Sequence, residues 1–562
     1  MADKFMLIDD IPVKIEGEKN ILELIRKAGI DLPTFCYYSE LSVYGACRLC
    51  VVENKLGGIE ASCSTPPKEG MVVYTNTPKL RKYRKMILEL ILANHCRDCT
   101  TCEKSGACKL QELANRFNIK NVRFENTKKV IPIDATSPCI VRDESKCILC
   151  GDCVRMCDEV QNVGAIDFAH RGSAMRISTA FHENMNASKC VGCGQCAAVC
   201  PTGAIVVKND TQYVWEALSD LGSKVVVQIA PAVRVGIDKE LGQENGKNVM
   251  GKLVAALRRM GFDAIFDTST GADLTVLEES NEFIKRLEMN EKLPLFTSCC
   301  PAWVKYVETY HKDLLPNVST CRSPMEMFAA VLKEHYSHSH KKVVSVAIMP
   351  CTAKKAEAAR DEFKVDGIPY VDYVLTTQEI IQMIKESGIV FDELEPEAID
   401  MPFGVNSGAG VIFGVTGGVT EAVIRRVADD KSINNLRAIA FNGIRGMEGV
   451  KETSIPFGDR NVHIAVVSGL RNAENLIQKM KEGQCSYDLV EVMACPGGCI
   501  SGAGQPFARY EEKCKRGQGL YEADRMSSIK RSEENPVIMS LYSGLLKGRV
   551  HELLHVTYKG EA

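Results

Sequence analysis

The sequence predicts a multidomain α/β protein in which small cysteine-rich modules precede a larger half of alternating strands and helices. Three observations predict it. At 562 residues the chain is too long for one core, because domains run to roughly 100–200 residues. Of its 25 cysteines, 17 crowd into the stretch that ends at Cys200. Beyond Lys208 they thin out, and β-rich runs at Lys224–Ile229, Lys342–Met349 and Val462–Val467 alternate with helical stretches such as Asn248–Met260.

Composition narrows the function. A net charge of −3, with Lys, Arg, Asp and Glu interspersed, offers no basic stripe for a phosphate backbone, which argues against nucleic acid. No apolar run reaches the roughly 18–20 residues of a membrane span, and Met1–Asp10 carries neither a basic region nor a cleavable site, so a cytoplasmic enzyme is expected. So many cysteines in a long chain without a secretory signal point to metal ligation rather than disulfides.

Residues 1–80 read as the first module. Apolar and polar residues alternate from Phe5 to Ile15 around Asp9-Asp10, as in a hairpin, and Asn20 can cap a helix over Ile21–Lys27 closed by Gly29. Cys36, Cys47, Cys50 and Cys63 place a C-x2-C pair between outlying cysteines. That suits a 2Fe-2S cluster of plant-ferredoxin type, although the first spacing is wider than x4, and four thiolates also suit zinc.

In the second module, 81–125, Thr77 and Pro78 open a helix with apolar positions Leu80, Tyr83, Ile87 and Ile91 that ends near His95. The set His95, Cys99, Cys102 and Cys108 follows. Three thiolates and an imidazole can hold zinc or a 4Fe-4S cluster, and the position between cluster modules favours iron.

Residues 126–208 hold an internal repeat, Cys147-x2-Cys150-x2-Cys153-x3-Cys157 echoed by Cys190-x2-Cys193-x2-Cys196-x3-Cys200-Pro201. This is the bacterial two-cluster ferredoxin run, in which the fourth cysteine crosses to the other cluster. One 4Fe-4S site then uses Cys147, Cys150, Cys153 and Cys200, and the other Cys157, Cys190, Cys193 and Cys196.

In the remaining 209–562, cysteines sit in three separated motifs: TSCCPAW with Cys299-Cys300, MPCTAKKAE with Cys351, and EVMACPGGC with Cys495 and Cys499. Each lies near a strand end or a Gly/Pro turn, where backbone can approach a cofactor. These motifs, in this order behind the cluster modules, closely resemble the FeFe-hydrogenases of the large, multi-cluster clostridial type. The resemblance covers essentially the whole chain.

It implies a fold of ferredoxin-like modules (β-grasp, then bacterial two-cluster ferredoxin) followed by a two-lobed α/β catalytic domain. It implies an H-cluster, a 4Fe-4S cube joined through a cysteine to a di-iron unit bearing CO, CN and a bridging azadithiolate. By motif, Cys300, Cys351, Cys495 and Cys499 would hold the cube, Cys499 bridging, with three accessory 4Fe-4S clusters and one 2Fe-2S cluster feeding it. Cys299 would pass protons, relayed by Glu279, Ser319, Glu282 and Arg286; by spacing alone Glu279, Glu282 and Arg286 read as a solvated helix face. Lys354 would bond a cyanide, and Ala230, Pro231, Met349, Phe413 and Met493 would line the di-iron pocket.

Three positions depart from the family pattern: Met325-Glu326 where glutamine is common, Arg531–Pro536 without the usual histidine, and Ala503 in a stretch that is usually all glycine. The activity implied is reversible reduction of protons to H2, with ferredoxin or flavodoxin as carrier and maturation proteins inserting the di-iron unit. A nickel–iron hydrogenase is disfavoured because no C-x2-C pair follows Cys196. A non-catalytic electron hub, like the cluster-bearing subunit of respiratory NADH dehydrogenase, or a hydrogen sensor stand as the other readings. Cys96, Cys139, Cys321, Cys485 and Cys514 receive no role.

Overall fold

A computed structural model describes residues 3–126, 131–237, 239–428 and 443–558. The chain opens with a five-stranded sheet in the spatial order Ile11–Lys14, Phe5–Ile8, Val72–Tyr74, Val51–Asn54, Ile59–Ala61. The expected hairpin is present, Phe5 pairing with Lys14 and Ile8 with Ile11. Its tight turn holds Asp9 and Asp10 at φ 49° and 67°, a left-handed conformation that Asp tolerates because its side chain can bond locally. The helix runs over Ile21–Lys27 as the sequence predicts, its cap made by the Glu23 N–H donating to Asn20 Oδ1 at 3.1 Å. Ile21, Leu22, Leu24 and Ile25 bury against Met6, Ile8, Val52 and Val73, which is the β-grasp arrangement.

The second helix spans Pro78–Ala93, with Thr77 accepting from the Leu80 N–H at 3.2 Å. Its buried stripe differs from the expected one. Leu80, Arg84 and Leu88 face inward while Tyr83 is exposed. The cause is Arg84, whose guanidinium donates to the carbonyls of Leu49 (3.1 Å), Thr75 (2.8 Å) and Val51 (2.6 Å). A buried charge with three acceptors avoids the cost of an unmet donor, while Ile87 and Ile91 keep partly buried places against the neighbouring core.

The sequence repeat recurs as structure. Short helices Asp152–Arg155 and Gln195–Ala198 each follow a left-handed glycine, Gly151 and Gly194, and outer strands Ile140–Arg142 and Ile205–Val207 pair antiparallel.

The C-terminal half carries two four-stranded sheets. One is parallel throughout, in the order Ala264–Asp267, Ser223–Ile229, Lys342–Met349, Tyr373–Thr376. The other orders Leu295–Phe296, Leu489–Met493, Arg460–Ser468 and Val450–Phe457, the last pair antiparallel. Helix Ser269–Met289 joins the two lobes: Leu274 and Leu277 belong to the core around the first sheet, Phe283 and Leu287 to a core against the second. Four strands end where a site motif begins: Ile229 before Ala230-Pro231, Phe296 before Thr297–Cys300, Met349 before Pro350-Cys351, and Met493 before Ala494-Cys495. Carboxyl ends of parallel strands are where α/β sheets bind ligands. Among the described residues no helix is long and apolar enough to cross a membrane.

Candidate active site

Upstream, the predicted ligand sets assemble. The Cys47 N–H donates to Cys36 Sγ at 3.3 Å and the Phe35 N–H to Cys47 Sγ at 3.4 Å, while Cys50 and Cys63 share a hydrogen bond of their own. Hydrogen bonding from Cys36 and from backbone N–H groups pulls the Cys47 thiol down to about 5 against the opposing effect of burial, as a thiolate ligand requires. His95, Cys99, Cys102 and Cys108 line one small cavity. The carbonyl of Cys96 contacts His95 Nδ1 and can only accept, so that nitrogen carries the proton and Nε2 offers the lone pair.

Cys147, Cys150, Cys153 and Cys200 line a second cavity, the crossed set that the repeat predicts. In the partner set, burial, then Cys196 and Cys190, push Cys193 well up, and burial, then Cys190 and Cys157, do the same to Cys196. One apolar cluster, containing Phe35, Leu49, Leu88, Leu110 and Leu113, touches Cys36, Cys47, Cys108 and Cys150. Three cluster sites therefore meet at one junction.

In the C-terminal half, Cys299, Cys351, Lys354 and Cys499 border a single cavity together with all five predicted lining residues, Ala230, Pro231, Met349, Phe413 and Met493. Met325 lies in the same wall. Cys300 Sγ accepts from the Ala494 N–H at 3.4 Å, which sets it beside the Cys495 turn. Burial, then Cys351, Cys300 and Cys499, drive the Cys495 thiol well above its ordinary range, which places four thiols from three distant segments at one point.

Lys354 Nζ donates to Glu357 Oε2 at 2.6 Å and to the Cys299 carbonyl at 3.3 Å, and Ser323 Oγ donates to the same Glu357 oxygen at 3.0 Å. Glu326 is fully buried, and neither of its oxygens finds a hydrogen bond. Burial and the Glu357 charge hold it far above the carboxylate range, so it enters this cluster neutral. Ala503 packs where a side chain on Gly194 would meet its methyl at 2.9 Å, and Arg531 pairs with Glu533 and Glu534 away from the cavity wall.

The predicted relay residues lie in line. Glu279 is completely buried; burial, then the Glu282 charge, push its carboxyl up to about 8, with Ser319 and the Ser298 N–H favouring ionisation. No hydrogen bond of ordinary geometry reaches either oxygen. Ser319 Oγ donates to Glu282 Oε2 at 3.1 Å, and Arg286 pairs with Glu282 Oε1. Burial of Glu279 and Arg286 rules out the solvated helix face that spacing alone suggested.

Sequence reading missed Gln195, whose Nε2 donates to Cys495 Sγ and to the Ser501 carbonyl, both at 3.1 Å. It also missed Glu278, Thr320 and His555, which surround Glu282. Only the position of Gln195 beside Cys196 could have drawn attention to it.

Comparison with known proteins decides the family. Residues 223–503 match the iron-only hydrogenase large subunit, C-terminal domain, and 510–561 the iron hydrogenase small subunit. Over 98% of both chains, this one is 42% identical to the NADP-reducing hydrogenase subunit HndD of Solidesulfovibrio fructosivorans. It is 35% identical to iron hydrogenase 1 of Clostridium pasteurianum across 99% of this chain and 100% of that one. The chain belongs to the FeFe-hydrogenases. As one of them it is an oxidoreductase acting on H2, with an H-cluster domain and accessory iron–sulfur domains. Those match a 2Fe-2S cluster binding domain at 6–78, the NADH-ubiquinone oxidoreductase-G iron-sulfur binding region at 84–123 and a 4Fe-4S dicluster domain at 146–204. A solved FeFe-hydrogenase variant from Chlamydomonas reinhardtii covers 63% of the chain, and 99% of its own, at 38% identity and a TM-score of 0.55.

Proposed function

We propose that the chain interconverts protons and H2 in an anaerobic cytoplasm, with ferredoxin or flavodoxin as carrier and maturation proteins supplying the di-iron unit. The observation that carries this reading is the cavity where Cys299, Cys351, Cys499 and Lys354 meet an apolar lining, with Cys300 and Cys495 close to Cys351 and Cys499. The donor set fits the H-cluster: four thiolates for a cube, a buried ammonium for an anionic ligand and a dry wall for uncharged diatomics. When bound, the H-cluster supplies the redox-active iron at which the H–H bond is made or broken.

Cys300, Cys351, Cys495 and Cys499 would hold the cube, with Cys351 and Cys499 bordering the cavity. Lys354 stays charged through Glu357 and aims its ammonium at the cavity. Cys299 keeps a proton at Sγ at the wall, because burial and the nearby Glu279 carboxyl oppose ionisation. Glu279 takes up the next position; a carboxyl that exchanges its proton near neutral pH suits general acid–base work. Ser319 connects it to Glu282, which Arg286 orients.

Modules 1–80 (2Fe-2S), 81–125 (His/Cys3 4Fe-4S) and 126–208 (two 4Fe-4S) would hold the accessory clusters that supply electrons to the catalytic domain 209–562. A second setting has support: the relative from Solidesulfovibrio fructosivorans is by name a subunit of an NADP-reducing enzyme, so a partner subunit is an alternative electron carrier. The deciding experiment measures H2 evolution from a reduced dye by anaerobically purified protein, with and without the di-iron cofactor. Turnover that depends on the cofactor is expected; no turnover with all iron present would overturn the reading in favour of an electron hub or sensor.

A further inference from the structure

Beyond Glu282 the hydrogen bonds do not stop at the Arg286 ion pair. Thr320 Oγ1 donates to Glu282 Oε2 at 3.0 Å and lies 2.9 Å from His555 Nδ1. His555 Nε2 lies 3.0 Å from Glu278 Oε2, and the Tyr542 hydroxyl donates to the other Glu278 oxygen. Backbone pairing fixes the ring: the Val556 N–H donates to the Thr320 carbonyl at 2.7 Å, and Arg322 Nε donates to the His555 carbonyl at 2.9 Å.

We propose that Thr320 and His555 form a second proton branch that joins the relay at Glu282, loaded from solvent through the C-terminal segment. The inference deepens the hydrogenase reading and rests on it.

The polarity of each bond defines the step. Glu278 can only accept, so His555 Nε2 keeps its proton and Nδ1 is the nitrogen that exchanges. In the charged ring, Nδ1–H donates to Thr320 Oγ1, whose own hydrogen points at Glu282. Passing one proton gives Thr320 the hydrogen of Nδ1 and gives Glu282 Oε2 the hydrogen of Thr320. Imidazolium becomes imidazole, carboxylate becomes carboxylic acid, and no electron moves. Glu278 acts as a positioning residue, held below the usual carboxylate range by the hydrogen bonds of His555 and Tyr542 despite its burial.

Reloading comes from outside, since the His555 side chain is 11% exposed and the exposed His551 ring lies beside it at 5.0 Å. The titratable groups facing His555 are Glu278 and Tyr542 on one side, Glu282 and Cys321 on the other, and His551 on its own segment, with Arg322 at its carbonyl and Arg426 acting on Glu278.

The test compares dye-driven H2 evolution from pH 5 to 8 for the loaded wild type, Thr320→Val, Thr320→Ser and His555→Gln. Thr320→Val and His555→Gln are expected to lose about tenfold at the acid end, less than the 10²–10⁴ of a sole general acid, because Glu282 keeps 13% exposure of its own. Their rates should approach wild type as pH rises, and Thr320→Ser, which keeps the hydroxyl, should behave as wild type. In protein lacking the di-iron unit, an infrared carboxyl band that Glu282→Gln abolishes should titrate differently in Thr320→Val and unchanged in Thr320→Ser. Thr320→Val matching wild type in both pH profile and infrared titration would overturn the branch while leaving the hydrogenase standing. An inactive, fully iron-loaded wild type would overturn both.

Discussion

The N-terminal modules and the catalytic half gather thiolates by opposite routes. In the two-cluster ferredoxin segment, eight cysteines fall within Cys147–Cys200, and short turns with left-handed glycines wrap them around their sites. The catalytic half draws its four from Cys300, Cys351 and the Cys495–Cys499 turn, and only the docking of two sheets brings them together. Local sites depend on chain geometry, and the distant one depends on the whole core. Damage to packing should therefore cost the catalytic site first.

The largest effect expected is for Cys499→Ser. Dye-driven H2 evolution should fall to background while electron paramagnetic resonance still shows the clusters of the N-terminal modules. Loss of both signals together would mean that the two regions are not independently stable.

Glu279→Gln should lower turnover by about 10²–10³, or roughly 2.7–4 kcal/mol at the barrier, with cofactor content unchanged. Its stability should move the other way. A carboxyl raised to about 8 binds a proton in the folded state that the unfolded chain has already released, so folded stability falls as pH rises from about 4.5 towards 8. The variant has no such group, and its melting temperature should exceed that of wild type by a margin that widens from pH 5 to pH 8.

Gln195→Leu tests the seam between the regions. It removes a hydrogen bond to Cys495 Sγ, and bonds to cluster sulfurs tune potential. Dye-driven turnover should fall by roughly tenfold and the cube's midpoint potential, read by redox titration, should fall, with the ferredoxin-like clusters unmoved.

The smallest effect belongs to His95→Cys. Replacing a neutral imidazole by a thiolate should lower that cluster's potential and leave dye-driven turnover near wild type, since reduced dye can donate elsewhere along the chain of sites.

The same contrast explains what could be read from sequence. Ile21–Lys27 and Pro78–Ala93 were readable because Asn20, Thr77 and Pro78 act within one turn, and the tandem cysteine runs because their ligands sit three or four positions apart. The strand end at Met349 followed from the apolar run Lys342–Met349 stopping at a cysteine motif. The inward turn of Arg84 was not legible, since its acceptors lie on a sheet up to 35 residues away. Nor was the neutral, buried Glu326, or His555, which meets Thr320 across 235 residues. Periodicity reports a residue's neighbours on its own element and nothing of the side chains that arrive from another.

The docking of the C-terminal segment has one more consequence. Residues 510–561 match what is described as a small subunit, yet here they share a chain with the lobe they cover. Helix Val550–Leu554 and His555 are thus held at an effective concentration on the order of millimolar, whatever the dilution of the protein. A version cut into two chains before Tyr510 would turn a permanent fixture into a binding equilibrium, and its proton supply would then depend on how much protein is in the tube.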